Sequence, residues 1–422
     1  MMASTLRRKS QDALDRLWIR ISVISVLSLI AIGVARVVRP ILPDRIAETL
    51  GTDSLNDLLT IIASSMLAVV TFSLSVMVSV YRSSSSQWTP RVHRLMLEDR
   101  TTQNTLATFV GSYIFALAAI VLLRTSLFRG ENDDDDPQVV LFFFTILVLV
   151  LIVVSIIRWI LHLQRVGSLT DVTRRIESKA TEELDGRLAP PCLGGNCLDP
   201  RSIPFDAVAV TAKQTGYVQA VYPQPIAHSA DTHQIDVYLH VPIGHFVHRG
   251  QPLCLLSRAQ TELSDCVREN VVIGDLRTFE QDPQFGLNVL SEVASKALSP
   301  GVNDPGTAID VIGRIARVLE STHSETTGQH VDLPRLWVAP LGAAELLEGA
   351  YEPIARDGAD AVEVQIALQQ ALRGLAEHSD ETLSAAAEQT AERLIRRCEE
   401  VLESRDAERL REIESDDRRP KL

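Results

Sequence analysis

The chain of 422 residues contains no glycine-rich phosphate loop, no His-Glu-x-x-His pair and no serine set in a nucleophile elbow. The familiar signatures of nucleotide, zinc-hydrolase and serine-hydrolase chemistry are therefore missing. Basic charge is short too: 41 Lys and Arg stand against 54 Asp and Glu, for a net charge of −13. Phosphate binding needs a basic face, so nucleic acid is not an expected partner. The five cysteines (Cys192, Cys197, Cys254, Cys266 and Cys398) are too few and too scattered for a disulfide framework. Cys192 and Cys197, with four residues between them, fit neither the two-residue zinc spacing nor a redox pair, and no second pair completes a tetrahedral site. Both are expected as reduced thiols in a cytosolic setting. No catalytic, cofactor-binding or metal-ligating residue stands out, and the expectation is a non-enzymatic protein without a cofactor.

One further absence points somewhere. No Asp, Glu, Lys or His interrupts four long apolar runs at about 18–38, 58–81, 106–123 and 139–161. A bilayer core of about 30 Å takes about 20 apolar residues as a helix, because the backbone must satisfy its own hydrogen bonds there. Four transmembrane helices are expected. The first run is too long, and lacks the small-residue site, for a cleaved signal. Lys and Arg crowd the amino terminus (Arg7, Arg8, Lys9), the middle loop (Arg91, Arg94, Arg100) and the stretch after the fourth run (Arg165, Arg174, Arg175). That asymmetry predicts a multi-pass membrane protein with both termini in the cytoplasm. The Asp133–Asp136 run then lies outside as a solvated acidic loop.

The second run carries Ser64, Thr71, Ser75 and Ser79 at helical spacing. Small hydroxyl residues let helices pack closely or line a polar passage. The loop that follows, SSSSQWTPRVHRLMLEDR, is expected to break the helix at Ser83–Ser86 and Pro90 and then form an amphipathic interfacial segment.

Beyond the membrane domain (1–165) the fourth span is expected to continue as a helical stalk and linker (166–200), with Val172, Ile176, Ala180 and Leu184 on one face. Residues 201–260 read with period two and form a β-rich module. Within it, GHFVHRGQPLCLL and GYV resemble the glycine turns of biotinyl and lipoyl barrel-sandwich domains, although the only lysine nearby, Lys213, does not sit on a hairpin tip. The expected fold class is thus four transmembrane α-helices followed by an α+β cytoplasmic region with a small barrel-sandwich module and amphipathic helices. His228, His233, His240, His245 and His248 cluster in sequence, and whether they meet in space is left open. A mixed helical region with one short strand (261–345) and C-terminal helices with a charged tail (346–422) complete the chain.

In the mixed region, ALSPGVNDPGTA joins two amphipathic helices. It reads either as a tight corner capped by Asn303 or Asp304 or, with Arg277, Asp282 and Lys296 nearby, as a polar ligand site. Later, Asp380 or Ser379 starts a helix with Leu383, Ala387 and Leu394 on its apolar side.

Three stretches carry a family resemblance: TFSLSVMVSVYRSSSSQWTPRVHRLMLEDRTTQNTLATFVGSYIF, GYVQAV with GHFVHRGQPL, and ALSPGVNDPGTAID. Across about 19–320 the chain resembles the bacterial predicted membrane proteins grouped as domain of unknown function 2254. The resemblance implies an inner-membrane protein with four amino-terminal spans and supplies no activity. The functional expectation is an oligomeric, channel-like membrane protein whose cytoplasmic part regulates it. A scaffold or sensor that binds a cytoplasmic protein is the alternative, and a membrane enzyme using Asp304, Asp282 and Lys296 comes third.

Overall fold

The structure, a computed structural model, describes residues 52–87, 89–97, 99–124, 138–164, 167–321, 331–398 and 401–416. The expected span at 18–38 and the Asp133–Asp136 loop lie outside them. The chain divides into two compact units, one up to Asp171 and one from Val172 onward.

In the first unit, α1 (Thr52–Gln87), α3 (Arg100–Arg124) and α4 (Gln138–Leu163) are long and apolar enough to cross a membrane, and the short α2 (Pro90–Leu97) lies between α1 and α3. The three long helices bury Leu59, Met66, Phe109, Phe115, Leu141 and Trp159 against one another. They leave Phe72, Val121, Leu147, Val150 and Ile157 exposed, as lipid-facing surfaces of a bundle do. The serine run does not end α1 as expected: the helix continues through Ser83–Ser86 to Gln87. Serine costs a helix only a few tenths of a kcal/mol per residue, and the chain turns only before Pro90, which opens the next helix. In α2, Val92 is buried while Arg91 and Arg94 are exposed. Helix α4 does not run on into a stalk either. It stops at Leu163, Gly167 adopts the left-handed φ of +84°, and α5 (Leu169–Leu188) starts afresh.

In the second unit, α5 buries Val172, Ile176, Ala180 and Leu184. The strands that follow are β1 (Gly195–Cys197), β2 (Val208–Thr211), β3 (Gly216–Val221), β4 (Val237–Leu239), β5 (Phe246–Val247) and β6 (Pro252–Leu256). Helix α6 (Pro223–His233) interrupts them, where period two alone was expected. Pro223 opens it, and Gln234 at φ +53° closes it by donating its N–H to Ala230 and Asp231. After α7 (Thr261–Asn270) and β7 (Val271–Gly274), helices α8 (Pro283–Ala297) and α9 (Pro305–Glu320) lead to β8 (Leu333–Val338).

The strands form two separate sheets, five-stranded β1-β8-β4-β6-β2 and three-stranded β5-β3-β7, so the expected barrel-sandwich does not close. Gly244 and Gly250 do make left-handed turns, at φ +86° and +89°. The difference arises because β4 pairs in parallel with β8, a strand from far along the chain, and Tyr238 stacks on Trp337 with ring centroids 6.1 Å apart. Val210, Val218, Ile226, Val237, Leu253 and Leu336 fill the core beneath.

The helical part ends with α10 (Ala343–Asp357), α11 (Val362–Ala376), α12 (Glu381–Cys398) and α13 (Ser404–Asp416). Helices α8 and α10 run parallel: Gln284 donates to the Glu345 carbonyl at 3.2 Å, and Gly349 lies against Asn288 one turn on. At the contact of α5 with α8, a Cβ added to Gly286 would lie 2.6 Å from the Ala180 Cβ, so glycine is required for that approach. Of the tail expected to be unstructured, 415–416 continue α13 and 417–422 lie outside the described residues.

Candidate functional site

Two sets stand out among the described hydroxyl residues of the first unit. Ser73, Thr105, Ser112 and Thr145 are buried inside the bundle. Ser64, Thr71, Ser75 and Ser79 are exposed. At about 100° per residue, Ser64, Thr71 and Ser75 fall within about 40° of arc and Ser79 follows about 40° further round. Leu59, Ile62, Met66 and Ser73, the buried residues of α1, lie on the opposite side. The stripe therefore faces away from the other described helices of its unit. Ser64 donates to the Thr60 carbonyl at 2.9 Å, Thr71 to Leu67 at 2.9 Å and Ser75 to Thr71 at 2.9 Å. Each of these three protons is thus taken up one turn back, and each oxygen keeps acceptor capacity toward whatever faces it.

One end of the bundle holds a polar knot that the apolar runs did not reveal. Asp99 caps α3, accepting from the Thr102 N–H at 3.0 Å and the Thr102 hydroxyl at 2.7 Å. His162, in the last turn of α4, places Nε2 2.8 Å from Asp99 Oδ2 and 2.9 Å from Thr102 Oγ1. A nucleophile–base–carboxylate relay needs the carboxylate and the hydroxyl on different ring nitrogens. Here both meet the same one, so the knot ties α4 to α3 and does not form a relay. The signal was present in sequence as Asp99 three residues before Thr102, a capping pattern at a span's end.

In the second unit, the five residues of the expected polar site do not converge. Arg277 grips Asp282 through two bonds of 2.6 and 2.9 Å and lies over the Phe285 ring at 5.4 Å. Asp282 also caps α8 by accepting from the Phe285 N–H at 3.0 Å. Gly244 packs straight onto this pair, since a Cβ there would be 2.2 Å from Asp282 Oδ2. Lys296 sits at the far end of α8, about 20 Å along at 1.5 Å per residue. Asn303 takes φ +52°, and Asp304 caps α9 through Thr307 at 3.1 and 2.6 Å. Those Thr307 hydrogen bonds hold the Asp304 carboxyl below its ordinary range. The ALSPGVNDPGTA stretch is a capped helix–helix corner.

A cluster that the sequence reading passed over lies between α5 and α9. Glu177 accepts from Arg314 at 2.6 Å and from Arg317 at 2.7 Å, lining an open groove of about 740 Å³ with Arg174, Thr181 and Asp185. Burial works to raise the Glu177 carboxyl, but the Arg317 and Arg314 hydrogen bonds outweigh it and hold it below the usual range. The signal was Arg314 falling among Val311, Ile315 and Val318 on the buried face of α9.

Among the described residues, no group of three His, Cys, Asp or Glu is arranged to hold a metal ion. His228 and His233 belong to α6, and His233 bridges the Ser229 carbonyl at 2.9 Å and Glu262 at 3.2 Å. The expectation of two reduced thiols is corrected: Cys192 and Cys197 form a disulfide, with Cα atoms 5.3 Å apart. Two successive glycines in CLGGNC let the chain fold back within four intervening residues, which the spacing argument did not consider. Cys254, Cys266 and Cys398 are buried and take no part in a disulfide.

Residues 15–374 match the profile of a family described as predicted membrane protein (DUF2254). Uncharacterized proteins of Mycobacterium bovis and of two Mycobacterium tuberculosis strains are 26% identical over 354 residues, covering 81% of this chain and 67% of theirs. No solved structure matches the chain.

Proposed function

The chain belongs to the DUF2254 family of predicted membrane proteins, and from that premise we propose a homo-oligomeric, non-enzymatic inner-membrane protein in which the hydroxyl faces of α1 meet between copies and line a passage for water or small cations. The observation that carries this reading is the outward stripe of Ser64, Thr71, Ser75 and Ser79, opposite the buried side of α1. Self-satisfied hydroxyls cost little in lipid, yet their free lone pairs suit water and cations better than hydrocarbon. The apolar run at 18–38 supplies the fourth span, and the crowding of Lys and Arg favours a cytoplasmic second unit with both termini on that side. Flux of a monovalent cation through liposomes holding the full-length protein tests the passage. Wild type is expected to conduct and Ser75→Leu to lose at least tenfold of the rate, because a branched apolar side chain replaces an acceptor in the lining. Absence of flux in both discards the passage.

A second reading, a scaffold or sensor that docks a cytoplasmic protein, is favoured by one separate feature. Phe205 is fully exposed just before β2, one of the two outer strands of the five-stranded sheet, and Val208 on that strand is 41% exposed.

A further inference from the structure

We propose that the Cys192–Cys197 disulfide is a thiol–disulfide exchange site, opened by a dithiol protein reductant that attacks at Cys197. The two sulfurs have unlike surroundings. Cys192 is 4% exposed and belongs to the apolar core with Val210, Cys254, Leu336 and Val338, whereas Cys197 is exposed at the end of β1. An incoming thiolate therefore has one sulfur to reach, and access is a first condition for exchange.

The backbone between them supplies a second observation. Cys192 at φ +50°, Leu193 at +58° and Gly194 at +82° form three successive left-handed residues, two of which carry a Cβ. L-residues with side chains avoid that region, so ring closure holds the loop in a conformation that an open chain would leave. The other cysteines do not compete. All three are buried, and burial pushes the Cys254 thiol up to about 12, far from the thiolate that exchange requires.

The proposal rests on the cytoplasmic placement of the second unit given above. In a reducing cytosol, a disulfide is usually a transient, redox-responsive bond and not a fixed staple. The chemistry balances with the reductant named. One of its thiolates attacks Cys197 Sγ, the Cys192–Cys197 bond breaks, and Cys192 Sγ leaves with the electron pair and takes a proton. The second thiol of the reductant, losing its proton, attacks the mixed disulfide and releases Cys197, which is protonated in turn. The protein gains two electrons and two protons, and the reductant becomes a disulfide.

Opening the ring loosens a structural joint. β1 pairs with β8 through Gly195 to Cys197, and Asn196 donates to the Pro334 carbonyl at 2.8 Å and to Leu336 at 3.4 Å. Without the covalent ring, β1 is kept on the edge of β8 by those bonds, by the Leu198 N–H donating to the Val338 carbonyl at 2.9 Å and by apolar packing.

The test uses full-length protein in detergent and a dithiol reductant of the thioredoxin type with its second cysteine replaced. Wild type is expected to form a covalent adduct with it under native conditions, and Cys197→Ser to form none. With the intact reductant acting on the folded protein, the thiol count read by maleimide after a denaturing quench is expected to rise by two. A pair that stays oxidised under excess reductant while the protein remains folded overturns the proposal, because the bond is then a fixed staple. A pair found as two thiols even after oxidised glutathione overturns it equally. Placement is read separately with an impermeant maleimide on spheroplasts after mild reduction. Labelling of Cys197 from outside overturns the cytosolic setting, whereas labelling only after permeabilisation supports it.

Discussion

Glu177 keeps its charge on a helix-packing face because two guanidinium groups meet it there, with Arg314 only 8% exposed. Its folded-state affinity for protons is lowered. Its contribution to stability is therefore complete above the ordinary carboxylate value of about 4.3 and is lost as pH falls through the still lower folded value. Glu177→Gln is expected to cost about 2 kcal/mol at pH 7 and to lose less on acidification than wild type, as read from urea midpoints at pH 7 and pH 3. An unchanged midpoint at pH 7 would place the ion pairs among those that contribute nothing. Local roles at this scale were legible in sequence. Asp304 and Asp380 cap helices as their positions suggested, since a cap needs only neighbours within three residues. Partners from far along the chain were not legible: nothing local says that Glu177 meets Arg314, or that His162 meets Asp99.

Among elements, the close contact of α5 with α8 decides how the second unit is assembled. Gly286→Ala is expected to destabilise by about 1–2 kcal/mol, because overpacking outweighs the roughly 1 kcal/mol that alanine adds in a helix. Ala180→Gly in the same chain should restore much of the loss, giving a coupling that distant sites lack. Additive effects in that double-mutant cycle of thermal unfolding would contradict the contact. Helices with a clear apolar period, such as α8, α9, α11 and α12, were readable before the structure. Helix α10 was not, since Gly349 and Pro353 lie inside it and both usually mark breaks. The sheet was half readable. β3 and β4 follow their alternation, but pairing with β8 depends on a strand some 100 residues away, and without it the glycine turns suggested a closed barrel.

At the scale of the whole molecule, the membrane character was legible because it depends on composition and length alone, and three of the expected spans appear as helices of suitable length. The direction of the hydroxyl stripe was not legible, since helical spacing fixes which residues share a face and not what that face meets. Facing away from the described helices of its unit, the stripe meets lipid, the apolar run at 18–38 or another copy, and the account requires the last. The most direct test is oxidative crosslinking in native membranes with single cysteines placed along α1 of a chain carrying Cys192→Ser and Cys197→Ser, where the remaining native cysteines are buried and serve as a low background. Ser64→Cys, Thr71→Cys and Ser75→Cys are expected to give covalent dimers, while Leu74→Cys, exposed but about a quarter-turn from the middle of the stripe, gives few. Dimers absent along the stripe, or formed equally at Leu74, would contradict the account.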